Sequence, residues 1–168
     1  GNISAVAVAT PHDVHVYRQD KFLRFSTAIV LEEIIAIPGR TAVRAGRTDR
    51  KRLPGKKVRV PVLDIVGWHD HCNGDMLMFR TIAKEGKTEG ARKGSRIIIG
   101  PWSHNPYNRR YGNIDFGPNA AWDIVALNIR WFDYWLKGEQ NGVDKDPPVK
   151  IFVMGDNRWR NGQHWPLR

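Results

Sequence analysis

Two side chains capable of acid–base chemistry each follow a short apolar segment of this sequence. Asp70 comes after the run VPVLDIVG, and His104 comes after the later run SRIIIG. A carboxylate that accepts a hydrogen bond from one imidazole nitrogen fixes the tautomer of the ring, and it stabilises the imidazolium that forms when the other nitrogen takes a proton. An aspartate followed by a histidine therefore fits the acid and the base of a nucleophilic triad, provided that the fold brings them together.

Other uses of these residue types stay open at this point. His69, Asp70, His71 and Cys72 are all of types that bind metal ions, and His104 would complete a set of two histidines and one carboxylate. Adjacent residues cannot converge on one ion, however, and the usual zinc spacings are absent. We therefore expect no metal here. A purely structural hydrogen bond between Asp70 and His104 is the remaining alternative.

The segments around the pair predict a βαβ unit. A buried strand is expected at 62–66, where Asp64 interrupts the apolar run and needs a partner if it is buried. The segment NGDMLMFRTIAKEG predicts a helix with Asn73 as its N-cap, and SRIIIG predicts a second strand. Because the strands of a βαβ unit are parallel and joined by a right-handed crossover, Asp70 and His104 should emerge at the same carboxyl edge of the sheet.

A longer helix is predicted after this unit, in the segment PNAAWDIVALNIRWFDYWLKG. It should begin near Pro118 or Asn119 and end at Gly138, and its composition predicts that most of its surface is buried. The predicted buried stripe consists of Trp122, Val125, Ile129, Phe132 and Leu136, widened by Ile124, Trp131 and Trp135.

Composition and charge exclude some classes of protein. The chain has 168 residues and a net charge of +10, and residues 40–59 hold nine lysines and arginines against one aspartate. A basic module that binds nucleic acid is therefore a second functional hypothesis. No aromatic residue interleaves with these charges, so we favour a solvated connector at 40–57 and expect no stacking platform for single strands. The apolar runs are too short for a membrane span.

The cysteine content and the first residues of the chain bear on its cellular compartment. Cys72 is the only cysteine, so no internal disulfide can form. The first residues lack the basic and apolar regions of a signal peptide, which slightly favours the cytoplasm.

The segment STAIVLEEIIAI at 26–37 is a candidate helix. The segment PPVKIFVMG predicts a strand. Because a lone strand cannot bury its own face, residues 147–168 should begin a second, β-rich domain or pair with something outside the chain.

Four motifs in order resemble one known family. VPVLDIVGWHD, GPWSHNPYNRRYGNIDFGP, IRWFDYWLKGEQNGV and PPVKIFVMGDNRWR are similar to segments of the CocE/NonD hydrolases, the cocaine-esterase-like branch of the X-prolyl dipeptidyl-peptidase family of α/β-hydrolases. The resemblance covers roughly residues 58–168. It implies the C-terminal part of an α/β-hydrolase core at 58–140, with parallel strands and flanking helices. The start of a jelly-roll-like β-sandwich domain is implied at 141–168, and residues 1–57 are left as a poorly matched cap or linker.

The resemblance also assigns roles to residues. It implies that Asp70 is the acid and His104 the general base of a Ser-His-Asp triad that hydrolyses small-molecule esters, amides or peptides without a cofactor or metal. Trp68 and Trp102 match aromatic residues beside the site and are expected to pack there or to line the substrate pocket, without a chemical role. A non-catalytic interaction domain with a vestigial pair of residues is the alternative.

The sequence departs from the family pattern at the nucleophile. The family serine lies on a G-x-S-x-G elbow that precedes the acid in the chain, and no such elbow is present. The four serines of this chain are Ser4, Ser26, Ser95 and Ser103. We therefore expect the chain alone to be inactive. A fragment of a sheet exposes an unpaired edge and an apolar face, so we also expect self-association.

Overall fold

A computed structural model describes residues 5–9, 14–18, 21–24, 54–70, 72–104 and 108–167. Its main feature is a seven-stranded sheet with the strand order β3-β2-β1-β4-β5-β8-β9. A two-stranded hairpin, β6–β7, lies outside this sheet. The strands are β1 (Ala5–Ala9), β2 (Val14–Arg18), β3 (Lys21–Arg24), β4 (Val62–Gly67), β5 (Arg96–Gly100), β6 (Arg110–Tyr111), β7 (Ile114–Asp115), β8 (Val149–Val153) and β9 (Arg158–Gly162).

The centre of the sheet is parallel and its edges are antiparallel. Strand β4 pairs in parallel with β1 and β5, and β5 pairs in parallel with β8. Helix α1 (Cys72–Glu85) joins β4 to β5, so the predicted pair of parallel strands with an intervening helix is confirmed. A short second helix, α2 (Glu89–Gly94), was not predicted. It begins where the Thr88 hydroxyl accepts a hydrogen bond from the backbone N–H of Ala91, at 3.0 Å.

Strands β4 and β5 are buried along their whole length and carry apolar side chains on both faces. On one face the core includes Val66, Phe79 of α1, Ile97 and Ile99. On the other face lie Leu63, Ile65, Ile98, Trp102 and Trp131. Such double burial explains why both strands read as nearly continuous apolar runs in the sequence.

The long helix differs from the prediction in both start and orientation. Helix α3 (Ile124–Phe132) begins after Asp123, whose carboxylate accepts a hydrogen bond from the N–H of Ala126, and continues as a π-helical turn, Asp133–Lys137. Gly138 ends it at a φ of 77°, as predicted. The predicted buried stripe is wrong at Val125 and Ile129, which are 59% and 55% exposed, whereas its other members are buried or partly buried.

The reason is that apolar residues surround almost the whole helix. Ile124 and Trp131 are the fully buried residues of α3, while Trp122, Phe132, Trp135 and Leu136 are partly buried against the same core. A helix without a clear polar face gives no sequence signal for which apolar side faces the sheet.

The C-terminal segment joins the sheet. Strand β8 pairs with β5, and a hairpin then adds β9 as an antiparallel edge. A separate jelly-roll-like domain at 141–168, like the other domain boundaries, stays a prediction.

Several predictions fall at least partly on residues outside the described ones. The candidate helix at 26–37 lies there, as does most of the basic stretch, of which Pro54–Lys57 forms a 3₁₀ helix. Strands β1 to β3 fall within the poorly matched region 1–57. None of the described helices combines the length and the apolar character that crossing a bilayer requires.

Candidate active site

Backbone hydrogen bonds hold the ends of β4 and β5 together. The last residues of the two strands, Gly67 and Gly100, are register partners. Beyond them, the N–H of Trp68 donates to the carbonyl of Gly100 at 2.8 Å, and the N–H of His69 donates to the carbonyl of Trp102 at 2.9 Å. Backbone hydrogen bonds therefore join the two loops close to the points at which they carry Asp70 and His104.

The two glycines are required by this close approach. A Cβ atom at Gly67 would lie 2.1 Å from the backbone oxygen of Trp102, and a Cβ atom at Gly100 would lie 2.3 Å from the Trp102 ring. Both distances are far inside van der Waals contact. Only glycine lets the loops pass each other here.

Asp70 and His104 meet as the strand-end argument predicted. Oδ2 of Asp70 lies 3.0 Å from Nδ1 of His104. The Asp70 side chain is 7% exposed, whereas that of His104 is 56% exposed. A buried carboxylate that accepts a hydrogen bond from Nδ1–H leaves Nε2 as the nitrogen that exchanges protons with a reacting group. This arrangement can carry out general acid–base catalysis.

The two tryptophans beside the site make packing contacts. The indole N–H of Trp68 donates to the carbonyl of Phe152 on β8 at 2.8 Å, which ties the loop after β4 to the parallel strand on the far side of β5. Trp102 is fully buried, and its indole N–H donates to the carbonyl of Ala120 at 2.6 Å. The substrate-pocket role expected of both residues stays a prediction, and the contacts described here are those of core residues.

A hairpin that the sequence analysis missed lies against the site. The ring of Tyr111, at the end of β6, stacks on His69 with centroids 3.8 Å apart and planes 2° apart. Arg109 and Arg110 each lie 3.0 Å from the carboxylate of Asp115 on β7. The pKa of Asp115 is lowered by the N–H of Gly117 first and by the two arginines next. Nothing in the spacing of the sequence indicates that this hairpin folds back onto His69.

The metal alternative gains no support from the residues that the structure describes. Within those residues no group of three histidines, cysteines or acidic residues is placed to hold an ion, and His71 lies outside them. His69 is stacked on Tyr111, as noted. Burial raises the pKa of the Cys72 thiol, which disfavours the thiolate that metals bind.

Neither of the two serines in the described part of the chain, Ser95 and Ser103, lies in a G-x-S-x-G elbow. Ser95 is buried, its hydroxyl donates to the carbonyl of Ala91 at 2.7 Å, and it accepts the N–H of Val62 at 3.0 Å. It precedes β5, at the opposite end of the strand from His104. Ser103 is the immediate neighbour of His104, and adjacent side chains rarely align for proton transfer. Ser4 and Ser26 lie outside the described residues.

A second buried carboxyl lies on β4 beneath α1. Asp64 is buried, and its Oδ1 atom has no hydrogen-bond partner within the described part of the chain. Burial raises the pKa of Asp64 well above its ordinary value, and the nearby charge of Asp75 raises it further. The expectation that a buried Asp64 would find a partner is therefore not met at Oδ1 in the described part of the chain, and burial favours the protonated form of the carboxyl.

Comparisons with known proteins bear on the fold and on the family. No family model matches the chain. Cocaine esterase from Rhodococcus sp. (strain MB1 Bresler) is 32% identical over 120 residues, which are 70% of this chain and 20% of that protein. The chain thus spans about a fifth of the length of this curated relative. The sequence resemblance to the CocE/NonD hydrolases is confirmed.

Two solved structures are also similar. An aminopeptidase from a marine sediment archaeon (Thaumarchaeota archaeon) matches with a TM-score of 0.54 and 23% identity, over 66% of this chain and 18% of that one. A CocE/NonD family hydrolase from Staphylococcus aureus matches with a TM-score of 0.47 and 18% identity, over 70% of this chain and 19% of that one. The first of these similarities supports the α/β fold.

Proposed function

Because the chain is related to the CocE/NonD hydrolases, we propose that it supplies the acid and the general base of a Ser-His-Asp triad. Asp70 is the acid and His104 is the base. The serine would come from a segment other than the residues described here. The substrate class is a small ester or amide, including peptides.

The mechanism follows from the exposure of the two side chains. Nε2 of His104 takes the proton of the serine hydroxyl as the serine oxygen attacks the substrate carbonyl, and returns it to the departing alcohol or amine. An acyl-enzyme remains, and water attacks it with the same assistance from His104. Throughout, the carboxylate of Asp70 accepts the Nδ1–H hydrogen bond and stabilises the imidazolium. No step needs a cofactor.

One observation supports this proposal above the others. The carboxylate and the imidazole are 3.0 Å apart at the carboxyl ends of two adjacent parallel strands, with the acid buried and the base exposed. This is the edge at which open α/β sheets place their ligands.

The first test is turnover of p-nitrophenyl acetate by this chain alone. Loss of one triad member typically costs on the order of 10⁴ to 10⁶ in kcat, so the chain and its His104→Ala variant should hydrolyse the ester at the same background rate. A clear difference between the two would contradict the proposal that the serine lies elsewhere.

The second test uses the longest reading frame that contains this sequence. If it encodes a G-x-S-x-G elbow, both His104→Ala and Asp70→Asn should lower kcat, the latter by about 10⁴. The matched control is His164→Ala, at an exposed histidine outside the site. Unchanged kcat in both site variants would show that the pair is vestigial and would reject the proposed function.

A further inference from the structure

The β6–β7 hairpin places one aromatic ring against the loop that carries Asp70. The rings of Tyr111 and His69 lie face to face, with centroids 3.8 Å apart and planes 2° apart. His69 immediately precedes Asp70, whose carboxylate lies 3.0 Å from Nδ1 of His104. Because neighbouring residues share a planar peptide unit, a contact that restricts His69 also restricts Asp70.

The sheet holds the same loop from another direction. The backbone N–H of His69 donates to the carbonyl of Trp102 at 2.9 Å, and the indole N–H of Trp68 donates to the carbonyl of Phe152 at 2.8 Å. These bonds fix the backbone of the loop and the first of its side chains. The ring of Tyr111 acts on the next side chain, so the hairpin adds a restraint to those that the sheet supplies.

Contacts at its base and across its strands fix the hairpin, so the position of Tyr111 is defined. Phe116, at the base, is buried and packs on Phe152 of β8 with ring centroids 6.1 Å apart. Across the two strands, the guanidinium of Arg110 lies 3.0 Å from the carboxylate of Asp115. A two-stranded hairpin is marginally stable in water by itself, so contacts of this kind are needed to order it.

Tyr111 is exposed, unlike a core residue. It is 42% exposed, and its register partner on β7, Ile114, is 55% exposed. Substitution of an exposed side chain usually changes stability little. A large effect of a Tyr111 variant on the acid–base pair would therefore not be explained by unfolding.

We propose that Tyr111 is a positioning residue for the acid–base pair, an inference that rests on the proposed function. It acts through His69: the stacked rings keep the loop in the conformation in which Asp70 accepts the hydrogen bond from Nδ1–H of His104. Without the stack, the carboxylate moves away and the imidazole loses the partner that fixes its tautomer. A displacement of about 1 Å in such a site can cost about 10²-fold in rate.

The first test uses this chain alone, because it needs no serine. The ¹⁵N chemical shifts of an imidazole ring report which nitrogen carries the proton. At a pH at which the ring is neutral, Nδ1 of His104 should carry it in the original chain, and Tyr111→Ala should move part of the population to the Nε2–H tautomer. Tyr111→Phe keeps the stacked ring and should restore the original tautomer. Equal tautomer fractions in Tyr111→Ala and the original chain would overturn the proposal.

The matched control for this test is Ile114→Ala, at the exposed register partner of Tyr111 on the same hairpin. It should leave the tautomer of His104 unchanged. A change as large as that of Tyr111→Ala would show that any apolar truncation of the hairpin disturbs the site, and would reject a specific role for the stack.

The second test uses kinetics of the longest reading frame that contains this sequence. Tyr111→Ala should lower kcat about tenfold to a hundredfold at unchanged KM, because a positioning residue does not touch the substrate. Tyr111→Phe should recover most of that loss. A raised KM with unchanged kcat would show that Tyr111 contributes to substrate binding instead, and would reject the positioning role.

A double-mutant cycle tests whether Tyr111 acts through His69. His69→Ala should lower kcat by a similar factor, and Tyr111→Ala should have little further effect in that background. Losses that multiply would show that the two side chains act independently, which contradicts the proposal. If circular dichroism shows that Tyr111→Ala does not fold, Tyr111→Leu, which keeps apolar bulk without an aromatic face, takes its place.

Failure of the proposed function gives a different pattern of results. If His104→Ala and Asp70→Asn leave kcat of the full reading frame unchanged, the pair is not catalytic and the positioning role falls with it. If those two variants lose activity and Tyr111→Ala does not, only the positioning role is rejected.

Discussion

Two buried carboxyl groups of this protein have opposite surroundings. Asp70 lies at a strand end with the imidazole of His104 at 3.0 Å, whereas Asp64 lies within β4 and its Oδ1 has no partner among the residues that the structure describes. A hydrogen-bond donor favours an ionised carboxylate, and an apolar enclosure favours a protonated one. Asp70 thus contributes to a candidate site, whereas Asp64, six positions earlier, costs folding free energy.

The cost at Asp64 should depend on pH. Well below the ordinary carboxyl pKa, Asp64 is protonated in both folded and unfolded chains. As the pH rises through that value, the unfolded chain ionises Asp64 while the folded chain keeps the proton, because burial has raised the pKa in the fold. The unfolding free energy therefore falls by about 1.4 kcal/mol per pH unit, up to the pKa of the folded state.

Asp64→Asn removes this penalty. Urea denaturation should show that the variant gains stability over the original chain at pH 8 and gains little at pH 4. Asp144→Asn, at an exposed aspartate, is the control and should shift stability by a similar small amount at both pH values. A constant difference between Asp64→Asn and the original chain across this range would contradict the proposed protonation.

At the scale of elements, the ends of β4 and β5 decide whether a site exists. The loops that bear Asp70 and His104 cross so closely that both strands must end in glycine. The sequence shows a glycine at the end of each apolar strand, but it does not show which group a larger side chain would contact. In the structure that group is Trp102, whose ring and carbonyl occupy the space where a Cβ atom would be.

Alanine at these glycines should separate the loops. Gly67→Ala and Gly100→Ala should each destabilise the chain by about 1–3 kcal/mol or more, since strained packing must be relieved by moving backbone. Gly74→Ala is the control on α1, where a new Cβ atom meets nothing within 4 Å. It should stabilise the helix by about 0.5–1 kcal/mol. Thermal or urea unfolding measures all three, and a neutral Gly100→Ala would contradict the close approach.

The two sides of α3 should respond differently to substitution. Ile124→Ala, on the buried side, should cost about 2–5 kcal/mol in unfolding free energy because it leaves a cavity against the sheet. Ile129→Gln, on the exposed side, should change stability by no more than about 0.5 kcal/mol. Similar losses in the two variants would show that the stripe predicted from the sequence is buried after all.

At the scale of the whole molecule, two features oppose association with other chains and one favours it. Its outer strand β9 carries Arg158 and Arg160, and charged edge strands resist pairing with other chains. The net charge of +10 also opposes association. The apolar residues Val125 and Ile129 lie one helical turn apart on the exposed face of α3, where no such protection is present.

Self-association should therefore proceed through α3. Sedimentation equilibrium of this chain should show a concentration-dependent increase in mass, and Ile129→Lys should reduce it. The exposed Met154→Lys, in the turn between β8 and β9, is the control and should leave the mass distribution unchanged. A monomer at all concentrations would contradict the prediction that the exposed apolar face of α3 drives association.

The sequence alone was sufficient for the parallel strands, the helix between them and the meeting of Asp70 with His104. Each of these follows from local pattern, since short apolar runs form buried strands and polar residues at their ends share one edge. Local pattern did not show which side of α3 faces the sheet, how Tyr111 reaches His69, or that Oδ1 of Asp64 lacks a partner among the described residues. Those features depend on contacts between residues distant in the chain, and only the packed tertiary structure chooses among apolar faces that are equivalent in sequence.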